Sequence, residues 1–176
     1  MLKRIFLLLA LAAAPAPAVA NNLVFVTSGT YDGALGGLTG GDAICNSLAG
    51  AAGLGGTFVA WLSDGTTDAK DRLTGAGPFV GVQGFPIATD VADLTDGLVG
   101  SISRDENNQP VNVTGVWTGT HWDGTAYGLD CVGWTSNTNG GSVRGRSGNK
   151  GTSGTSWTSF ADASCFSKRH LYCFEQ

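Results

Sequence analysis

The sequence predicts an α+β domain with two helices, short strands of mixed or antiparallel pairing, and long loops. Three observations predict it. Apolar residues recur at helical spacing early in the chain, at Ile44, Cys45, Leu48, Ala49 and Ala52. Runs of β-formers are short and scattered, the clearest at 23–27, 57–62 and 170–174. Glycine supplies 28 of 176 residues, which punctuates the chain with turns.

The elements follow in order. Residues 23–27 read as a first strand, and the Gly-dense stretch 28–41 as turns. Asp42 has the residue type of a helix N-cap, so the helix is expected to start there, with Cys45 facing the core. Residues 53–56 end it, 57–62 form a second strand, and Ser63-Asp64-Gly65 marks a turn. A short second helix is expected over 89–94, stopped at Gly97. Residues 116–118 and 129–134 read as further strands. Residues 135–159 carry Gly, Ser, Thr and Asn with Arg144, Arg146 and Lys150, show neither period, and read as one long loop. Residues 170–174 read as the terminal strand. There is no internal repeat.

The first residues set the compartment. Lys3 and Arg4 precede the apolar run 5–14, and Ala18-Val19-Ala20 has the small-residue form of a cleavage site. That is the pattern of a secretory signal peptide over 1–20, too short in its apolar run to span a bilayer. The expected mature domain, 21–176, is exported to a secreted or extracellular location, with the periplasm or cell surface as alternatives. The whole chain carries −4; without Lys3 and Arg4, eight basic residues face 14 acidic ones, for −6. Such a balance argues against a nucleic-acid or anionic-lipid partner. Arg144, Arg146, Lys150, Lys168 and Arg169 read as solvated loop charges.

Cys45, Cys131, Cys165 and Cys173 are an even set in an exported chain, so two disulfides are expected. Four cysteines allow three pairings, and spacing does not choose among them. Zinc is disfavoured because the shortest Cys–Cys gap, between Cys165 and Cys173, holds seven residues and the two histidines are isolated from each other. A catalytic role is disfavoured too. His121 and His170 are the only histidines, no Gly-x-Ser-x-Gly or Gly-Lys-Ser/Thr motif occurs, and no carboxylate pair is marked out for glycoside hydrolysis. The expectation is a non-enzymatic protein.

Several segments carry a family resemblance. Gly41-Asp42-Ala43-Ile44-Cys45 is followed by Gly53-Leu54-Gly55-Gly56-Thr57-Phe58-Val59-Ala60-Trp61-Leu62-Ser63. Later come Val116-Trp117-Thr118-Gly119, Cys131-Val132-Gly133-Trp134, Ala163-Ser164-Cys165 and Leu171-Tyr172-Cys173-Phe174-Glu175. Over most of 21–176, in order, these resemble the endostatin family. The resemblance implies a C-type-lectin-like fold with two nested disulfides, Cys45 with Cys173 and Cys131 with Cys165. The outer bridge would then tie the first helix to the terminal strand, and the inner one would clamp the base of the long loop.

The resemblance also frames the ligand question. Many C-type lectins hold calcium through a Glu-Pro-Asn and a Trp-Asn-Asp tripeptide. Here those positions read His121-Trp122-Asp123 and Phe160-Ala161-Asp162, and Gln109-Pro110-Val111 comes too early. A calcium site would draw on Asp123, Asp130 and Asp162, well short of the 6 to 8 oxygens such a site needs. Without it these are turn and cap residues. The N-terminal histidines by which endostatin takes zinc have no counterpart in 21–23, and its heparin binding through surface arginines is not expected of an acidic chain. Trp117 and Trp134 fall on framework positions and belong in the core. Trp122, Asp123, Tyr127 and Asp130 are the candidate ligand residues, exposed aromatics among small polar ones. The expected partner is an extracellular carbohydrate or protein; the competing expectation is a structural or adhesive surface protein without a discrete small-ligand site.

Overall fold

A computed structural model describes residues 21–112 and 115–176; the expected signal peptide, 1–20, lies outside the described residues. The chain is α+β. Strand β1 is Asn22–Val26, helix α1 Gly37–Ala51, β2 Phe58–Ala60, β3 Phe79–Gly81, β4 Pro86–Ala88, β5 Gly115–Trp117, helix α2 Cys131–Trp134, β6 Arg144–Asn149, β7 Ala161–Ser164 and β8 Tyr172–Glu175. Five strands form a mixed sheet in the order β2-β8-β1-β3-β4, and β5-β6-β7 form a second, antiparallel sheet. β1 runs parallel to β3 and antiparallel to β8.

The apolar strands lie where period two can bury both faces. On β8, Tyr172 and Phe174 enter one core cluster, while Cys173 and the preceding Leu171 enter the other. On β1, Val24 and Val26 face the first cluster and Phe25 the second. The first cluster is an aromatic stack, with ring centroids 5.1 Å apart for Trp61 and Trp157, 5.3 Å for Trp157 and Tyr172, and 5.5 Å for Phe79 and Phe174. Each such pair adds about 0.5–1.5 kcal/mol beyond its buried area. The second cluster holds Phe25, Phe58, Trp117, Trp134 and both disulfides. Cys45 is joined to Cys173 and Cys131 to Cys165, the pairing the resemblance implies.

Four expectations about elements need correction. Helix α1 starts five residues before Asp42, with Gly36 as its left-handed N-cap. Asp42 instead sits inside the helix, accepting from the Ala60 amide at 2.9 Å and from Arg72 Nη2 at 2.7 Å, so it joins α1 to β2. The turn-rich stretch ends at Gly36, and Gly37, Gly40 and Gly41 lie in the helix: a Cβ on Gly41 would meet Leu62 at 2.8 Å, so Gly41 is what lets α1 approach the strand. The helix expected over 89–94 reduces to one 3-10 turn at Asp93–Thr95, because Asp90 and Asp93 spend their carboxylates on local amides.

Residues 129–134 are not a strand. Cys131, Val132, Gly133 and Trp134 have φ of 52°, 60°, 61° and 61°, a left-handed turn that costs about 1–2 kcal/mol per non-glycine residue. The disulfide, the Asp130 carboxylate accepting from the Gly133 amide, and Trp134 Nε1 donating to the Ser63 carbonyl at 2.8 Å hold it. Finally, the stretch 135–159 is not one loop. It contains β6, the central strand of the second sheet, and a 3-10 turn at Thr155–Trp157 that buries Trp157. Lys150, at its end, is buried, and burial lowers its ammonium pKa, so it is not a solvated loop charge.

Candidate functional site

Two chain segments meet over a buried threonine cluster beside the second sheet. Thr118 Oγ1 donates to the Thr158 carbonyl at 2.6 Å, Thr120 Oγ1 is hydrogen-bonded to Thr158 Oγ1, and Trp61 Nε1 donates to the same Thr158 hydroxyl at 2.7 Å. All three threonines are buried. They fix where the chain emerges on either side: two residues past Thr120 stands Trp122, 56% exposed, and two residues past Thr158 stands Phe160, 57% exposed.

The Trp122 segment is a tight hairpin. Thr120 bridges to Ala126, the His121 amide donates to the Thr125 carbonyl at 2.8 Å, and Gly124 takes a φ of 79° to close the turn. Asp123 Oδ1 accepts from the Thr125 hydroxyl at 2.6 Å and its amide at 3.1 Å. Those hydrogen bonds, the hydroxyl's first, with help from Lys70 and His121, hold its carboxyl below the usual carboxylate range. Asp68 accepts from the Ala126 amide at 2.8 Å and anchors the hairpin from outside.

Beyond it, Tyr127 links the hairpin to the sheet. Its ring lies 4.6 Å from the His121 ring, and the Arg146 guanidinium stacks over it at 4.4 Å. Arg146, on β6, also donates through Nε to Ser159 Oγ at 3.1 Å and through Nη1 to Asp162 Oδ1 at 2.8 Å. Arg144 sits two residues earlier on the same strand, so period two puts it on the same face, and its Nη2 donates to the Asp162 carbonyl at 3.1 Å.

Asp130 has a different place. Its Oδ1 accepts from the Gly133 amide at 3.0 Å, and with Leu129, Val132, Val143 and Arg144 it lines an open depression of about 190 Å³. A second depression, of about 390 Å³, lies over α1 between Tyr31, Ile44 and Leu48.

The structure thus brings Trp122, Asp123 and Tyr127 together on one short segment, and joins Tyr127 to Asp162 through Arg146. It does not bring Asp123, Asp130 and Asp162 onto a common point: each carboxylate has its own protein partner, and among the described residues no group of three or more His, Cys, Asp and Glu is placed to hold a metal ion. The sequence points to a recognition face over 120–159 that includes Arg146, but it does not show Arg146 joining Tyr127, Ser159 and Asp162, nor Phe160 as an exposed ring. The Arg-Gly-Arg alternation at 144–146 is the available signal, but Val143 is the lone β-former beside it. Of the histidines, His121 lies against Tyr127, while His170 is buried with Nδ1 donating to the carbonyls of Thr27 and Gly29. No protein-family model matches the chain, and no curated protein matches it.

Proposed function

We propose that the chain is a secreted, non-enzymatic recognition domain of the C-type-lectin-like class, similar to endostatin in fold. It binds an extracellular carbohydrate or protein through the face bearing Trp122, Tyr127, Arg146 and Phe160. One observation carries this: the exposed aromatic residues Trp122 and Phe160 each stand two residues past a buried threonine of one hydrogen-bonded cluster, on the segments that lead into the stacked Tyr127–Arg146–Asp162 array. Exposed rings on a rigid base, beside fixed polar groups, are what a ligand face offers. The two disulfides and the signal pattern at 1–20 support the exported reading, and the ordered motifs with their cysteine pairing support the fold.

A structural or adhesive surface protein is the second reading. Phe85, Val99, Val132 and Phe166 are also exposed, and they sit on other elements. The two readings separate in one experiment. The purified chain is passed over a panel of immobilised extracellular glycans and matrix proteins, as wild type and as Trp122→Ala, Phe160→Ala and Phe85→Ala. A discrete face predicts a loss of about tenfold or more for the first two and none for the third. Equal, small losses for all three favour the adhesive reading; binding unchanged by Trp122→Ala and Phe160→Ala rules this face out.

A further inference from the structure

The loop that joins α2 to β6 carries a reactive pair that ligand binding does not use. Asn139 is the one asparagine of the chain that a glycine follows. Asn139, Gly140 and Gly141 are exposed, and a Cβ on Gly140 would meet nothing within 4 Å. With no side chain of its own, Gly140 leaves its amide nitrogen open to the side-chain carbonyl carbon of the residue before it.

One hydroxyl touches both ends of that approach. Ser164 Oγ, on β7, accepts from the Gly140 amide at 3.3 Å and donates towards Asn139 Oδ1 at 3.5 Å. It also reaches the Thr138 carbonyl at 3.3 Å and accepts from the Phe166 amide at 3.4 Å. A hydroxyl has one proton to give and two lone pairs. The two amides take the lone pairs, and the proton is shared between Asn139 and Thr138. Ser164 is therefore placed where a proton must leave Gly140 and where one must arrive on Asn139. Asn46, followed by Ser47 in α1, is the opposite case. Its Nδ2 donates to the carbonyls of Asp42 at 2.8 Å and Phe58 at 2.6 Å, and its Oδ1 accepts from the Phe58 amide at 2.9 Å. That side chain is pinned away from its own backbone.

We propose that Asn139–Gly140 is a site of self-modification, in which the Gly140 nitrogen attacks Asn139 and Ser164 relays the proton. The nitrogen gives its proton to Ser164 Oγ and bonds to Asn139 Cγ, while Ser164 passes its own proton to Oδ1. The Cγ–Nδ2 bond then breaks, and Nδ2 leaves as ammonia with the proton that Oδ1 returns. Water opens the resulting succinimide. Cleavage at Cγ gives an aspartate at 139, and cleavage at the main-chain carbonyl gives an isoaspartate. The net change is hydrolysis of one amide. Either product places a new negative charge beside β7 and next to the chain end of the Cys131–Cys165 bridge.

The test ages the full, folded chain in neutral buffer as wild type, Ser164→Ala and Ser164→Thr, and maps peptides for amide-to-acid conversion and for isoaspartate. The same three are aged reduced and unfolded in urea. Folded wild type should convert at Asn139 before any other asparagine and faster than the unfolded chain, with Asn46 intact. Ser164→Ala should slow the folded rate about tenfold, the low end for proton transfer because the contacts are long. Ser164→Thr, which keeps the hydroxyl, should stay near wild type, and all three should convert equally when unfolded. Equal folded rates for wild type and Ser164→Ala overturn the proposal. So does a Ser164→Thr rate as slow as that of Ser164→Ala, which assigns the effect to loop packing. A folded wild type that converts at Asn139 no faster than the unfolded chain, or not at all, overturns it too.

Discussion

His170 carries the clearest pH signature in the molecule. It is buried, its Nδ1 is committed to two carbonyls, and its Nε2 has no partner among the described residues. Burial pushes its pKa below the ordinary 6.5; Lys150 adds to this, while Glu106 and the two carbonyls oppose it. Above that ordinary value the ring is neutral folded or unfolded and costs nothing. Below it the unfolded chain takes up a proton that the native state resists, so stability is lost as pH falls. Urea midpoints should therefore drop between pH 7.5 and pH 5, and the drop should shrink in His170→Asn, whose amide nitrogen can replace the Nδ1 donor and does not titrate. An unchanged drop would assign the effect to other groups. Glycine supplies a second contrast at this scale. A Cβ on Gly145 would lie 2.7 Å from the Trp117 ring and 2.8 Å from Cys131 Sγ, both fixed in the core, whereas one on Gly50, in the exposed last turns of α1, meets nothing within 4 Å. Gly145→Ala should destabilise by about 1–3 kcal/mol and Gly50→Ala should stabilise by about 0.5–1 kcal/mol, read from urea unfolding.

At the scale of elements, those glycines explain what could and could not be read from the sequence. Strands β1, β2 and β8 are chosen by burial on both faces, and their Val, Phe and Tyr residues announce them. Strand β6, Arg-Gly-Arg-Ser-Gly-Asn, is chosen by what its neighbours exclude: Gly145 passes the Trp117 ring and Gly148 passes the Trp157 carbonyl, where a Cβ would come within 1.8 Å. Side-chain propensity does not register a strand selected by closeness of approach. The candidate site was half legible for the same reason. Trp122, Asp123 and Tyr127 adjoin one another in sequence, but Arg146, Ser159 and Phe160 join them only through β6. Helix α1 was legible in existence and misread in its start, because Asp42 has a capping residue's chemistry and uses it on a tertiary partner. Replacing it tests that role. Asp42→Asn leaves Arg72 half-buried without its carboxylate and should cost about 2–3 kcal/mol in urea unfolding. A loss near that of an ordinary helix cap, about 1 kcal/mol or less, would mean that the link to β2 adds little.

For the whole molecule, the disulfides act at two ranges. The inner bridge closes 34 residues and the outer one 128. Because loop entropy grows only logarithmically, chain entropy assigns about 4 kcal/mol to the first and about 5 to the second. Replacing Cys131 and Cys165 together by Ser should cost more than its share, since the left-handed turn at 131–134 then loses its clamp; a thermal shift smaller than that of the Cys45, Cys173 double variant would contradict this. The sheet order has a kinetic consequence of its own. β8 is inserted between β2 and β1, which do not pair with each other, and it supplies Cys173 to the helix. During synthesis, β1, α1 and β2 emerge with their common partner still more than a hundred residues away in the ribosome. The nascent chain cannot close its main sheet, or form the outer disulfide, until residues 172–175 have been made, so its final packing waits for the last residues of translation.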